Sequence, residues 1–417
     1  MQVWEKHVFP LEGLRARFRP PVDEMTKKVL ILTGDIGGNL GDNAIAWSTC
    51  ENLTAAAPGV SFTLVSDTDS FGWDLKNVTV IPKGIKGLFQ LVRKAVESDV
   101  VLCGGGGLFQ DDDSRIKMPY WALRLEFVRL FCGKIVGYSL GVGPLRRPSS
   151  RLFARMSFAC MERVSVRDPE AMETARATTG KRISIVPDPA LILGNGSRSQ
   201  ARSILETHGV PMDGPPLIGV AARKWFHHVD SFIPHMYAAK YHLRKIPGRE
   251  KCQAFSRLLA RALDRMATEH GAFIVFMPSY NSSHEADDQM CRETMENMVS
   301  GDKRLLCVDT PKMYKAVAGH LDVMLGARMH PAILAASEGI GIVGISYNQK
   351  FKGFFQMLGI QDRLIDVREF VDREMVDELV SLLVTSLKEE PPYMNRMNQM
   401  RREIHEFNRS IVQEYIK

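Results

Sequence analysis

Residues 29–43, VLILTGDIGGNLGDN, decide the fold class of this chain. Residues 29–33 have the apolar, partly β-branched character of a buried strand, a glycine-rich turn follows, and residues 43–56 have the periodicity of a helix. Glycines permit a tight turn beside a ligand, and the start of the helix adds a partial positive charge. We therefore predict the first unit of a parallel α/β sheet, with an anion or a sugar bound at the turn.

The residues of this turn supply the first candidate contacts. Their spacing is that of neither a P-loop nor GxGxxG, so it does not indicate a nucleotide cofactor. Gly38, Asn39 and Gly41 are predicted to contact the ligand. Asp42 has two interpretations that remain open, because it either acts on the ligand or, like Asn43, caps the helix.

The rhythm of apolar run, turn and helix continues along the chain. It predicts further strands at 62–65, 78–81, 100–103, 134–139, 164–166 and 183–186, and then at 217–222, 273–278, 304–308, 323–326 and 340–345. Turn-forming residues at 187–197 interrupt the rhythm between these two groups. We therefore predict two Rossmann-like α/β domains, residues 1–200 and 201–417, that face a central cleft.

Composition narrows the classes of partner. With 417 residues, 45% hydrophobic and 24% charged, the chain is neither disordered nor fibrous. The net charge of +6 favours small anionic partners and does not require nucleic acid. The seven cysteines contain no CxxC pair, which predicts free thiols and no metal site. Without a signal-like start or a long apolar run, we expect a cytoplasmic protein, in contact at most with the inner face of the membrane.

Two further segments follow predicted strands with polar groups. Four glycines at 104–107 suggest that a substrate approaches the backbone, so Gly105, Gly106 and the nearby Asp111 are candidate binding residues. Residues 278–288 contain Tyr280 and His284, which suit sugar hydroxyls and general-base chemistry. A metal site at residues 284–288 is conceivable, but a helix cap with a solvated acidic face is the preferred interpretation there.

The segment around Arg328 is the most informative one. It joins an apolar strand to an apolar helix, and Pro331 is predicted to be the first helical residue, with His330 as the cap. Such a junction binds an anion through Arg328 and holds His330 beside it as a proton donor, although a purely structural histidine is the alternative. Arg223 ends the strand at 217–222 and suits a carboxylate or phosphate in the same way.

Six motifs, in their order along the chain, resemble those of the polysaccharide pyruvyl transferase family. They are GNLGD (38–42), DVVLCGGG (99–106), SVRDPE (165–170), PDPA (187–190), RMH (328–330) and GISYNQK (344–350). The resemblance implies a GT-B-like fold and transfer of pyruvate from phosphoenolpyruvate to two hydroxyls of a cell-surface polysaccharide or its precursor. The product is a cyclic ketal, phosphate is released, and no cofactor is needed.

The resemblance also implies roles for single residues. Arg223, Arg328 and Lys350, with Asn348 beside it, would hold phosphoenolpyruvate in the second domain. His330 would protonate its methylene carbon. His284 and Asp42 are alternative bases for the sugar hydroxyls, and the first domain would bind the acceptor.

Some alternatives remain open at this stage. The aromatic and basic insertion at 226–250 either contacts a membrane that carries a lipid-linked acceptor, covers the cleft, or is a packed excursion. The two-domain cleft would also suit a nucleotide-sugar glycosyltransferase or epimerase. A non-catalytic sugar- or phosphate-binding component of a polysaccharide assembly complex is the third possibility.

Overall fold

The computed structural model describes residues 27–68, 72–112, 114–225, 248–280 and 286–416, with the backbone alone at 349 and 350. His284 and residues 226–247 of the insertion lie outside the described residues. Within the described ranges, no helix is long and apolar enough to cross a membrane. The cysteines are free, and only Cys307 is exposed.

The first half of the chain forms a seven-stranded parallel sheet. Its strands are β1 (Lys28–Leu32), β2 (Ser61–Val65), β3 (Val78–Ile81), β4 (Val100–Gly104), β5 (Ile135–Leu140), β6 (Arg163–Val166) and β7 (Ile183–Ile185). They lie in the order β3-β2-β1-β4-β5-β6-β7. Along β1, Val29 and Ile31 pack into one buried cluster and Leu30 and Leu32 into another, because successive side chains point to opposite faces of a sheet covered on both sides.

The second half forms a six-stranded parallel sheet. Its strands are β8 (Leu217–Ala221), β9 (Phe273–Phe276), β10 (Lys303–Leu305), β11 (Val323–Gly326), β12 (Gly341–Ser346) and β13 (Leu364–Asp366). They lie in the order β10-β9-β8-β11-β12-β13. The predicted α/β class with two parallel sheets is therefore confirmed. The short strand β13 was not predicted, because no apolar run marks it in the sequence.

Helices connect the strands and cover both sheets. They are α1 (Leu40–Ala56), α2 (Leu88–Glu97), α3 (Lys117–Phe131), α4 (Pro148–Ala159), α5 (Pro169–Arg176), α6 (Arg198–Thr207), α7 (Arg249–His270), α8 (Asp287–Asn297), α9 (Pro311–Ala318), α10 (Met329–Ser337), α11 (Gln349–Leu358), α12 (Val367–Asp372), α13 (Val376–Lys388) and α14 (Met394–Ile411). Since every strand is parallel to its neighbours, the loops at the carboxyl ends of each sheet gather at one edge.

The last helix returns to the first sheet. Tyr138 of β5 donates a hydrogen bond to Asn408 of α14 (Oη to Oδ1, 2.7 Å). The guanidinium of Arg163, at the start of β6, lies 4.3 Å from the ring centre of Phe407. Residues near the C-terminus, which the sequence groups with the second domain, thus help to hold the two sheets together.

Candidate functional site

The glycine-rich turn after β1 is organised by Asn39 and Asp42. Asn39 caps α1, since its Oδ1 accepts a hydrogen bond from the backbone N–H of Gly41 at 2.9 Å. Asp42 lies in the first turn, where its Oδ2 accepts from the N–H of Asp35 at 2.9 Å and from Asn39 Nδ2 at 3.3 Å. The prediction that Asp42 or Asn43 caps this helix is therefore wrong, because the helix begins at Leu40, before the apolar periodicity does.

The carboxyl of Asp42 is enclosed by glycines of two turns. A Cβ atom at Gly34 would lie 2.3 Å from its Oδ2, and one at Gly106 would lie 2.5 Å from its Oδ1. Burial raises the pKa of Asp42, although nearby His330 and the N–H of Asp35 act in the opposite direction. A carboxyl whose pKa is moved upward in this way is suited to accept a proton.

The second glycine turn, after β4, supports the first. Gly105 and Gly106 have φ values of 71° and 97°, which glycine adopts without strain. Thr33, at the end of β1, donates its hydroxyl to Gly105 O at 3.0 Å. Asp111 is buried and accepts hydrogen bonds from the N–H groups of Arg146 and Arg147 at 3.0 and 2.9 Å. The Asp111 carboxylate therefore stabilises the adjacent backbone, and its contact with substrate stays a prediction.

Arg328 forms a buried ion pair across the second domain. It lies at the end of β11, and its Nε and Nη2 donate to Asp287 Oδ2 and Oδ1 at 2.5 and 2.7 Å. The ring centre of Tyr280 is 5.0 Å from its guanidinium carbon. Asp287 has no exposed side-chain surface, so the prediction of a solvated acidic face is wrong at this residue. Neither the pairing nor the burial is visible in the local sequence pattern.

Arg328 also begins helix α10, which corrects the predicted start. Arg328 is the N-cap and Met329 the first helical residue, so His330 lies within the first turn and Pro331 directly after it. Proline is tolerated there because the first N–H groups of a helix have no acceptor within the helix. The shift makes His330 a helical residue rather than a cap.

The two halves of the chain meet at Tyr280. Its hydroxyl donates to Asp35 Oδ2 at 2.9 Å, and Asp35 Oδ1 accepts from Lys83 Nζ at 2.9 Å. Asn39 and Tyr280 form an isolated β-bridge, and the N–H of Leu40 donates to Ser279 O at 3.2 Å. A cleft of about 150 Å³ lies at this junction, lined by 36–40 and Asn43 from one half and by Pro278, Ser279, Val308 and Asp309 from the other.

His330 reaches from α10 to the first half of the chain. A Cβ atom at Gly41 would lie 1.9 Å from His330 Nδ1, so the imidazole packs directly on this glycine. The other ring nitrogen, Nε2, is buried, lies 3.6 Å from Asp188 Oδ2 and has no hydrogen bond to the described residues. The structure therefore brings the predicted residues Gly41, Asp42 and His330 together, and adds Asp188.

Asp188 belongs to a buried charged cluster that the sequence analysis did not place in the site. Its Oδ1 accepts from the N–H of Ala190 at 3.0 Å, and its Oδ2 is 3.5 Å from Arg167 Nη1. Burial alone would raise the pKa of Asp188, but His330, Arg167 and the Ala190 N–H together lower it. The motifs at 165–170 and 187–190 contain Arg167 and Asp188, but the sequence alone does not show that these two residues lie near His330.

The remaining predicted anion ligands follow neighbouring strands. Arg223 follows β8, Arg328 follows β11 and Asn348 follows β12, which are adjacent in the sheet. The Arg223 guanidinium is buried and lies 4.0 Å from the ring centre of Tyr347. The side chain of Lys350 lies outside the described part of the structure. Among the described residues, no cluster of histidine, cysteine or acidic side chains could hold a metal ion.

Comparisons with known proteins identify the family of this chain and confirm its fold. Residues 39–349 match the protein family described as polysaccharide pyruvyl transferase. UDP-GlcNAc 2-epimerase from Methanocaldococcus jannaschii is similar in structure, with a TM-score of 0.57 and 9% identity, covering 91% of this chain and 98% of that chain. Sucrose-phosphate synthase from Thermosynechococcus elongatus has a TM-score of 0.55 and 12% identity, covering 93% and 98%. These likenesses confirm the two-domain GT-B-like fold.

Proposed function

Because the chain belongs to the polysaccharide pyruvyl transferase family, we propose that it transfers pyruvate from phosphoenolpyruvate to two hydroxyls of a sugar and releases phosphate. One observation carries the assignment of roles. His330 packs on Gly41, next to Asp42, which places an imidazole and a carboxyl side by side where the two halves of the chain meet. A proton donor and a proton acceptor are the two groups that this reaction requires.

The first step is protonation of the donor. In the proposal, imidazolium His330 gives its proton to the methylene carbon of phosphoenolpyruvate, which becomes a methyl group. The central carbon then becomes electrophilic, and a sugar hydroxyl attacks it. Arg328, Arg223 and Lys350 bind the carboxylate and the phosphate. The pairing of Arg328 with Asp287 fixes the direction of its guanidinium.

The second half of the reaction removes protons from the acceptor. Asp42 accepts the proton of the attacking hydroxyl, and its pKa, raised by burial, supports this role. The bond between the central carbon and the phosphate oxygen breaks, and the released phosphate takes the proton that Asp42 accepted. The second hydroxyl attacks the same carbon and gives its proton to His330, which restores the imidazolium. The products are the cyclic ketal and inorganic phosphate. His284 is the other candidate base and lies outside the described residues.

The acceptor is proposed to bind to the first half of the chain. Gly38, Asn39, Gly105 and Gly106 belong to the turns that follow β1 and β4, and glycines without a side chain let a substrate approach the backbone there. We propose a polysaccharide or a lipid-linked precursor at the inner face of the membrane as the acceptor. No redox cofactor takes part in this scheme.

The function is tested with purified protein, phosphoenolpyruvate and a panel of sugars and lipid-linked saccharides. We expect phosphate release that depends on one acceptor, together with an acceptor mass increased by one pyruvate less one water. Parallel incubations contain nucleotide sugars in place of phosphoenolpyruvate. Consumption of a nucleotide sugar without any use of phosphoenolpyruvate would contradict the proposal and favour a glycosyltransferase or an epimerase.

Substitution of Gly41 tests whether the contact with His330 matters. In Gly41→Ala the new methyl group would lie 1.9 Å from Nδ1, so the imidazole must leave its position. We expect phosphate release to fall by about 10²-fold, as for a misplaced catalytic group. We also expect the thermal unfolding midpoint to fall by a few degrees, because overpacking a buried position typically costs about 1–3 kcal/mol. Gly180→Ala is the matched control, because a Cβ atom there meets no atom within 4 Å. Full activity of Gly41→Ala would show that this position of His330 is not needed.

A further inference from the structure

We infer that Asp188 is the positioning residue for His330: it holds a proton on Nε2 and leaves Nδ1, over Gly41, as the atom that transfers a proton. The inference rests on the proposed function for the identity of the transferred proton. Its structural part, the effect of Asp188 on the imidazole, stands without it.

The two carboxylate oxygens of Asp188 contact different partners. Oδ1 is fixed by the N–H of Ala190 at 3.0 Å, at the start of the 3₁₀ turn Pro189–Ile192. Oδ2 is 3.6 Å from His330 Nε2, and no described residue makes a hydrogen bond to that nitrogen. Since the Asp188 side chain is only 4% exposed, solvent screens this contact weakly. A small approach of the two atoms would convert the contact into a charge-assisted hydrogen bond.

Arg167 fixes the orientation of Asp188 from the other side. Its Nη1 lies 3.5 Å from Asp188 Oδ2, and its Nε donates to Asp168 Oδ2 at 3.3 Å. Asp168 is itself anchored, because its Oδ1 caps helix α5 by accepting from the N–H of Ala171 at 2.7 Å. The carboxylate beside His330 is therefore held by a chain of buried bonds that begins in the first sheet.

The formal charges of this cluster do not cancel beside His330. Arg167 carries one positive charge and Asp168 and Asp188 one negative charge each, so the buried group next to the imidazole has a net formal charge of −1. Among the described residues, the titratable groups that interact with His330 are Asp188 and Asp42 of α1. Arg167 acts on His330 through its contact with Asp188. Burial raises the pKa of Asp42, whereas His330, Arg167 and the Ala190 N–H lower the pKa of Asp188, so Asp188 is the more acidic of the two carboxyls beside His330.

Three of the sequence motifs that resemble those of the family supply the residues of this buried cluster. SVRDPE supplies Arg167 and Asp168, PDPA supplies Asp188 and Ala190, and RMH supplies His330. The first two motifs belong to one half of the chain and the third to the other. The proton donor is therefore assembled only where the two halves meet.

The test is an NMR titration of the histidine imidazoles in the ¹⁵N-labelled, full-length protein without substrate. His330→Gln assigns the signal of His330 by its loss. In the wild type we expect neutral His330 to carry its proton on Nε2, and in Asp188→Asn we expect its pKa to fall by about one unit or more, because an opposite charge has been removed. An unchanged pKa and an unchanged tautomer would overturn the inference.

Two further variants keep the test decisive. Asp188→Glu retains the negative charge, so we expect the pKa of His330 in this variant to be closer to the wild-type value than in Asp188→Asn. Asp188→Glu is also used in place of Asp188→Asn if Asp188→Asn does not fold. In that case the tautomer of His330 in the wild type decides, and a neutral imidazole that carries its proton on Nδ1 would overturn the inference. Asp168→Asn is the matched control, because it removes a carboxylate of the same cluster that does not contact His330. An equal fall in Asp168→Asn would show a general effect of charge and not positioning.

The kinetic test separates this inference from the proposed function. If His330 donates a proton, phosphate release falls as pH rises through the pKa of His330, and in Asp188→Asn this fall moves to lower pH by about one unit. The KM for phosphoenolpyruvate should change little, since Asp188 does not contact substrate in the proposed scheme. If no acceptor supports phosphate release, the proposed function fails, while the NMR titration still decides the role of Asp188.

Discussion

His330→Gln is expected to lower the rate of phosphate release by about 10²- to 10⁴-fold, the usual contribution of a positioned general acid. Glutamine has a similar size and can donate a hydrogen bond, but it cannot deliver a proton to carbon. The substitution leaves the buried carboxylate of Asp188 with Arg167 as its remaining charged partner. The measurement is the rate of phosphate release at saturating phosphoenolpyruvate and acceptor.

The control for this variant is His270→Gln. His270 is exposed in the last turn of α7, which precedes β9 and so lies at the opposite edge of the second sheet from Arg328 and His330. We expect its rate to stay within twofold of the wild type. If His330→Gln is as active as His270→Gln, then His330 is not the proton donor, and the structural alternative holds for it.

The sequence pattern predicted most of the fold because strands, turns and helices are each specified by residues that are close together in the chain. Apolar runs followed by glycine-rich or polar turns marked the predicted strands, and their alternation with helices predicted two parallel sheets. The strand β13 was missed because Leu364–Asp366 contains only two apolar residues, which do not form an apolar run. Helix α14 was not assigned to the first sheet, since no local pattern records that Asn408 bonds to Tyr138.

The site was predicted in part for the same reason. The carboxyl ends of parallel strands gather at one edge of each sheet, and the structure brings Gly41 and Asp42 of the first half together with His330 of the second. The catalytic roles of these residues stay predictions. The partners Asp188 and Asp287 were not found, because an aspartate near a proline or at a helix start usually serves as a cap. Asp188 does cap a short turn, and its second oxygen is the one that matters for His330. Only the packing of one half against the other distinguishes the two roles.

The second large effect is expected for stability, at the ion pair between Arg328 and Asp287. Asp287→Ala removes the carboxylate that binds Nε and Nη2 and leaves the guanidinium buried. Breaking a buried pair on one side typically costs about 3–5 kcal/mol, because the remaining charge keeps its desolvation penalty. We therefore expect the free energy of unfolding in urea to fall by about this amount, with Asp288→Ala, the neighbouring half-buried aspartate, changing it by less than about 1 kcal/mol.

A double variant separates the loss of the ion pair from the burial of the Arg328 charge without Asp287. In Asp287→Leu with Arg328→Met both charges are replaced by apolar groups, and such replacements of buried pairs are often neutral or stabilising. We expect the double variant to regain most of the stability lost in Asp287→Ala, yet to release no phosphate above background, because the proposed ligand of phosphoenolpyruvate is gone. If the double variant were stable and active, Arg328 would contribute to stability and not to the reaction. If the double variant were as unstable as Asp287→Ala, the loss of the ion pair's hydrogen bonds, and not the buried Arg328 charge, would account for the lower free energy of unfolding.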